Sequence, residues 1–275
     1  MSVLEVEDVT KTFVIDKSRI PVLEKVDFSV GNDEFVCLVG PSGCGKSTLL
    51  RVMAGLEKAD SGKVLFHGQP IVQPTHKISM VFQLFGLLPW KTALENVEVP
   101  LEVLGTPKKD RVNVSKEYLK MVGLEGFENT YPHDLSGGMK QRVGIARALA
   151  LKPDVLLVDE PFSSLDELTA KTLRELVLSL WRTPGMPPNS MLMVSHNVEE
   201  AVYMADRVIV MTPRPGKIIG EVKIEVPRPR FQYIREPIYF KSIDEVVELL
   251  EKGKKEAGPS TQTESLAYKQ IISTR

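Results

Sequence analysis

Residues 34–56 constrain the fold more than any other stretch of the chain. Glu34 to Val39 is an apolar run with β-branched members, the signature of a buried strand. It runs straight into Gly40-Pro41-Ser42-Gly43-Cys44-Gly45-Lys46-Ser47, and helical character follows from Ser47 to Leu56. The glycines let such a loop fold back so that backbone N–H groups converge on one anion. The helix behind it points its positive end at the same place. This spacing of glycines, lysine and hydroxyl is the phosphate-cradling pattern G-x-x-x-x-G-K-[ST]. Lys46 is placed to reach the β and γ phosphates of a nucleotide, and the Ser47 hydroxyl to bind Mg²⁺. Cys44, at the loop tip, is expected to be a small space-filling residue; the alternative is a thiol activated by the helix N-terminus.

The rest of the chain supplies alternating strands and helices. Leu4 and Val6 alternate with Glu5 and Glu7, and Val26, Phe28 and Val30 alternate in a second strand. His67-Gly68 closes a hairpin-like stretch, and Ile78 to Phe82 reads as another short buried strand. From Thr92 to about Gly123 the pattern is helical, with Thr92 and Glu95 at capping-box spacing. Helix Ser136–Ala150, strand Val155–Val158, helix Leu168–Trp181, strand Met191–Val194 and helix Val198–Ala205 follow in order. This alternation predicts an α/β fold with a mainly parallel sheet. Beyond Pro213 the proline clusters Pro213-Arg214-Pro215-Gly216 and Pro227-Arg228-Pro229-Arg230 punctuate the chain. Ile243, Val246, Val247 and Leu250 then share one helix face, with Ser242 and Glu245 as a capping box, and a loose polar tail is expected from about Lys252.

Two further motifs carry chemistry. Strand Val155–Val158 ends in Asp159-Glu160, so both acids stand at a sheet edge, where open α/β sheets bind ligands. Asp159 is the candidate for holding Mg²⁺ through its water shell, and Glu160 for orienting the attacking water. Leu135-Ser136-Gly137-Gly138-Met139-Lys140-Gln141-Arg142 places a capping serine and exposed glycine N–H groups at a second helix start. One phosphate loop already satisfies one nucleotide, so a second anion site needs another explanation.

The chain resembles the ATP-binding cassette family, the nucleotide-binding subunits of ABC transporters, over about residues 2 to 225. The motifs stand in the family's order: Walker A at Gly40–Ser47, the Q-loop Gln83, the signature Leu135–Gln141, Walker B ending at Asp159-Glu160, the D-loop Ser163-Ser164-Leu165-Asp166 and the switch His196. The resemblance implies a P-loop NTPase cassette over 1–226. Its parts are an N-terminal antiparallel β subdomain, a mainly parallel core sheet and a helical subdomain at about 84–150. A C-terminal extension with a short helix follows over 227–275. It also implies that two cassettes sandwich ATP head to tail, which accounts for the second anion motif.

By the resemblance, Gly40, Pro41, Ser42, Gly43, Cys44, Gly45, Lys46, Ser47 and Thr48 of one cassette hold the nucleotide, with Phe13 stacking on adenine. Ser136, Gly137, Gly138 and Gln141 of the other cassette close over it, and Asp166 reaches across the interface. Ser47, Gln83 and Asp159 serve the metal. Glu160, His196, Gln83 and Lys46 serve hydrolysis, His196 by touching the γ-phosphate.

The Phe85-Gly86-Leu87-Leu88-Pro89-Trp90 stretch falls where the family meets the coupling helix of a membrane permease. The implied partners are therefore a second cassette, identical or homologous, permease subunits, and a solute-binding protein acting through the permease. Leu87–Trp90 and the two Pro/Arg clusters resemble the nitrate, sulfonate and taurine importer group.

The remaining composition fits this reading. With 35 Lys+Arg against 36 Asp+Glu the net charge is −1, which offers no bulk electrostatic footprint for nucleic acid. No apolar run approaches the roughly 18 to 20 residues that span a bilayer, and the start lacks the pattern of a signal peptide. The expected place is the cytoplasmic face of a membrane, held by a partner. The alternatives are an exporter cassette, a soluble cassette ATPase of DNA repair or translation, and a regulatory binding module.

Overall fold

A computed structural model describes residues 2–16, 18–183 and 185–257. In chain order the strands and helices are β1 (Ser2–Ile15), β2 (Ser18–Gly31), β3 (Phe35–Val39), α1 (Lys46–Met53), β4 (Ser61–Phe66), β5 (Gln69–Pro70) and β6 (Ile78–Val81). They continue with α2 (Ala93–Val103), α3 (Lys108–Met121), α4 (Gly137–Leu149), β7 (Val155–Asp159), α5 (Glu167–Trp181) and β8 (Ser190–Ser195). The last are α6 (Val198–Met204), β9 (Arg207–Met211), β10 (Ile218–Lys223) and α7 (Pro237–Ala257). The chain forms two compact units, one of residues 1–74 with 192–275 and the other of residues 75–191.

In the first unit β2, β1, β4 and β5 form an antiparallel sheet. Leu4 and Val6 are buried on it while Glu5 and Glu7 stay half-exposed, as the alternation predicted. The same unit holds β3, buried at every position and parallel to β9, with β10 antiparallel at the edge. α1 stops at Met53, short of the expected Leu56. Gly55 at φ +72° turns the chain there, and a Cβ on it would lie 2.7 Å from the backbone of Gln73.

The segment after Val226 folds onto this first unit. Arg228 donates from Nη2 (2.7 Å) and Nε (3.1 Å) to Asp206 Oδ1, while Asp206 Oδ2 accepts the Phe35 N–H at 3.0 Å. Arg230 is buried and donates to the carbonyls of Val226, Tyr203 and Ala205. Burial pushes Arg230 down to about 10, so it keeps its charge at neutral pH. α7 packs on α6, β9 and β10, and Tyr239 Oη donates to the Glu199 carbonyl at 3.1 Å.

Three sequence expectations change here. The helix starts at Pro237, a residue suited to a first helical position, so Ser242 is interior and donates back to the Ile238 carbonyl instead of capping. The buried stripe is Tyr239, Ser242, Val246 and Gly253, leaving Val247 exposed. Residues 252–257 are helical, and the remainder of the expected tail lies outside the described residues.

In the second unit β6 pairs in parallel with β7, and α2, α3 and α4 pack on one another. The Thr92 capping box is present in full: its Oγ1 accepts the Glu95 N–H, and Glu95 Oε2 accepts the Thr92 N–H. The expected single helical stretch is two helices, broken at Gly105 (φ +77°) and restarted behind Pro107. Arg111 holds them together by ion pairs to Glu98 at 2.9 Å and Glu102 at 3.1 Å. No helix among the described residues is long and apolar enough to cross a membrane.

Candidate functional site

The phosphate loop of the first unit is shaped from behind. Gly45 caps α1 at φ +109° and makes no side-chain hydrogen bond to the helix start, so the capping residue itself does not compete for those N–H groups. A Cβ at Gly45 would lie 2.8 Å from Leu23 Cδ2, so β2 presses directly on the loop. Gly216 presses from another side. It accepts from the Glu24 N–H at 3.1 Å and donates to Val22 O at 2.8 Å, and a Cβ there would stand 2.3 Å from the Cys44 carbonyl oxygen. Lys46 is buried, with Nζ donating to the carbonyls of Gly40 (2.8 Å) and Pro41 (3.1 Å). Ser47 and Thr48 are half-exposed at the helix start.

Both cysteines are buried. Desolvation pushes the Cys37 thiol well up, the Glu200 charge adds to this and Lys46 opposes it, so Cys37 stays protonated. Cys44 Sγ sits 3.0 Å from where a Gly40 Cβ would stand, which makes it packing beneath the loop.

His196 follows β8 directly and is exposed. Its neighbours are fixed: Asn197 Oδ1 caps α6 by accepting the Glu200 N–H at 3.1 Å, and the Asn197 N–H donates to Ser195 Oγ at 3.0 Å. Phe13 lies half-exposed in β1 opposite Ile20, with Lys11 Nζ 5.1 Å from its ring centre. Lys11 itself is anchored by Glu57 at 2.6 Å and the Lys58 carbonyl at 2.7 Å.

The second unit holds the other candidates. Asp159 ends β7 and is buried. Glu160 follows at φ +42°, a backbone conformation that costs a non-glycine residue roughly 1–3 kcal/mol. Gln83, exposed two residues past β6, donates from Nε2 to Ser163 Oγ at 3.2 Å, and Ser163 Oγ donates to the Glu160 carbonyl at 3.0 Å. The structure therefore joins Gln83 to Glu160 through a side chain to which the sequence reading gave no role.

Ser136 caps α4 by accepting the Met139 N–H at 3.3 Å. Gly138 is packed so closely that a Cβ would meet Thr169 Cγ2 at 2.5 Å. Gln141 does not share the exposed helix start. It has no exposed surface, and its amide lies in the interior without a hydrogen-bond partner among the described residues. The expected contact between Gln141 and a nucleotide is therefore not available in this conformation. Asp166 caps α5 by accepting the Thr169 N–H at 3.0 Å, and that bond holds its carboxyl below the usual range.

Two further residues organise the segment after Gln83. Arg147, on α4, donates to the carbonyls of Gly86 (2.6 Å) and Phe85 (3.0 Å), both residues having positive φ. Asn96, fully buried, donates to the carbonyls of Leu88, Lys91 and Thr92 and accepts the Leu88 N–H. The loop so shaped leaves Trp90 70 % exposed. Neither residue announces itself in the sequence, since both act on carbonyls distant in the chain or hidden in a loop.

No group of three or more His, Cys, Asp or Glu among the described residues forms a metal cluster. The Ser47 hydroxyl of the first unit and the Asp159 carboxylate of the second are each a donor of the kind that suits Mg²⁺, which takes one or two carboxylates and completes its shell with phosphates and water.

Comparison with known proteins gives one consistent family. A family profile described as ABC transporter matches residues 23–163. An uncharacterised ABC transporter ATP-binding protein of Methanocaldococcus jannaschii is 47% identical, across 82% of this chain and 84% of its own length. The nitrate import ATP-binding protein of a Synechocystis strain is 42% identical, across 96% of this chain and 99% of its own. Among solved structures, a dimeric post-hydrolysis state of an ATP-binding cassette bound to ADP and phosphate superposes with TM-score 0.71. It shares 34% identity and covers 81% of this chain and 99% of that one.

Proposed function

The chain belongs to the ABC transporter ATP-binding family, and from that premise we propose that it powers a membrane importer as its peripheral, ATP-hydrolysing subunit. The observation that carries the reading is the phosphate loop itself. It is glycine-shaped, has a glycine as the cap of its helix, and keeps Lys46 folded against its own carbonyls.

In this proposal Lys46 and the N–H groups of Gly40 to Thr48 hold the β and γ phosphates, and Phe13 stacks on the adenine with the ring face away from Lys11. Glu160 orients and deprotonates the water that attacks the γ-phosphate, His196 donates to a γ-phosphate oxygen, and the bond to the β-phosphate oxygen breaks. Ser47, Gln83 and Asp159 would hold Mg²⁺, and its chemistry there would be to neutralise phosphate charge. Catalysis then rests on positioning and charge stabilisation. The start of α4, Ser136 to Gly138, closes on the nucleotide of a second cassette, and Asp166 lies at that interface; the dimeric cassette with ADP and phosphate supports this arrangement.

The Trp90 loop, exposed and shaped by Asn96, suits a permease helix, since exposed aromatics anchor interfaces. The cargo is a small anion such as nitrate, sulfonate or taurine, delivered by a solute-binding protein. The nitrate import relative, matched over nearly its whole length, supports this class over an exporter or a nucleic-acid ATPase.

The test is to co-express the chain with its permease and purify by a tag on the chain. Co-purification of the permease, nitrate- or sulfonate-stimulated ATPase in proteoliposomes, and loss of turnover by at least about a hundredfold in Lys46→Ala are expected. Recovery with ribosomes or DNA and no membrane protein would sink the importer reading.

A further inference from the structure

We propose that Ser163 is a positioning residue that fixes which end of the Gln83 amide faces the reaction centre. The inference rests on the reading above, because it has a catalytic consequence only if Gln83 and Glu160 serve ATP hydrolysis.

The argument is one of hydrogen counting. Ser163 Oγ carries a single hydrogen. That hydrogen is given to the Glu160 carbonyl at 3.0 Å, an atom with none to give in return. Toward Gln83, 3.2 Å away, Ser163 Oγ can therefore only accept. An amide presents a donor at one end and an acceptor at the other, and the two are close to isosteric. Here the partner decides between them: the NH₂ end is taken by Ser163, and Oε1 is the end left to accept. A side chain that is to bind a cation, or receive a hydrogen bond from water, must present that oxygen and not the NH₂ group.

The same hydroxyl steadies the peptide that follows Glu160. That carbonyl also receives the Ser163 N–H at 3.4 Å, so the turn from Glu160 to Ser163 is closed twice over. Glu160 itself stands at φ +42°, where its backbone relaxes readily unless its neighbours hold it. Gln83 stands just past β6 and Glu160 just past β7, parallel neighbours whose ends lie side by side (Val81 opposite Val158). Ser163 bridges the two strand ends with a single hydroxyl. Its side chain is exposed, so replacing it leaves the core untouched.

The experiment uses the full chain and four variants: Ser163→Ala, Ser163→Thr, Gln83→Ala and the Gln83→Ala/Ser163→Ala double. Steady-state hydrolysis is expected to show kcat down about fivefold in Ser163→Ala, the scale of one neutral hydrogen bond, with KM for ATP within about twofold. Ser163→Thr, which keeps the hydroxyl, should restore kcat. The double variant should be slower than Gln83→Ala by clearly less than the factor by which Ser163→Ala slows the parent, because the Gln83 bond is lost only once and only the bond to the Glu160 carbonyl remains to be lost. A readout independent of turnover is the Gln83 side-chain NH₂ resonance in nucleotide-free protein, assigned by its loss in Gln83→Ala. It should shift in Ser163→Ala and return in Ser163→Thr.

An unmoved resonance, or single-variant losses that multiply in the double, overturns the relay. A Gln83→Ala variant with full kcat overturns the catalytic role of Gln83 instead, and with it the consequence drawn for Ser163.

Discussion

Cys44 shows what a single residue inside the loop does. Its sulfur is buried against Gly40, so it fills space. Cys44→Ala is therefore expected to keep ATP turnover within about threefold of the parent, the loss being one small buried group. Thiol reagents should react slowly with the folded chain; rapid ATP-protected inactivation that vanishes in Cys44→Ala would reverse this assignment. The loop was legible because its chemistry is local: eight consecutive residues, Gly40 to Ser47, state both the turn and the anion. Gly216 and Ser163 were not. Gly216 matters because it touches Cys44 from far along the chain, and Ser163 because it touches Gln83. In the sequence the first reads as punctuation in a proline cluster and the second as one serine of a loop.

At the scale of elements, capping is where sequence and structure agree best. Thr92, Ser136 and Asp166 each open a helix by accepting an N–H three residues on, a rule confined to one turn of chain. Ser242 obeyed the same spacing and was misread, because Pro237 had already started the helix and tertiary packing on β9 and β10 prolonged it. Two predictions belong here. Gly216→Ala drives a Cβ into the Cys44 carbonyl, so it should lower stability by roughly 1–3 kcal/mol and weaken ATP binding at least about tenfold; calorimetry and nucleotide titration measure both. Arg147→Ala leaves the Phe85 and Gly86 carbonyls without their charged donor and should cost about 2 kcal/mol. Hydrogen exchange in residues 84–90 should quicken, and Arg147→Lys should not restore it, since an ammonium lacks the fork that spans both carbonyls.

For the whole molecule, a single set of motifs with two proposed anion sites is a statement about assembly. Glu160→Gln keeps the side chain's shape and removes its basicity. It should abolish hydrolysis, yet in ATP the protein should elute at twice its monomer mass and revert on nucleotide removal; vigorous turnover by this variant would refute Glu160 as the base. The organisation was legible as a strand–helix alternation, but the division into units was not, because the first gathers both ends of the chain. The stretch after Pro227 read as an appendage for the same reason: its anchors, Asp206 and the carbonyls of Tyr203 and Ala205, lie upstream in sequence. Asp206 splits its two oxygens between Arg228 and the Phe35 N–H, the entrance to the strand that feeds the phosphate loop. Anyone recombining relatives of this protein thus inherits a seam that no cut in the sequence can follow. A graft at Pro227 transplants Arg228 while leaving its acceptor behind, so Asp206 has to travel with it as part of the same cartridge.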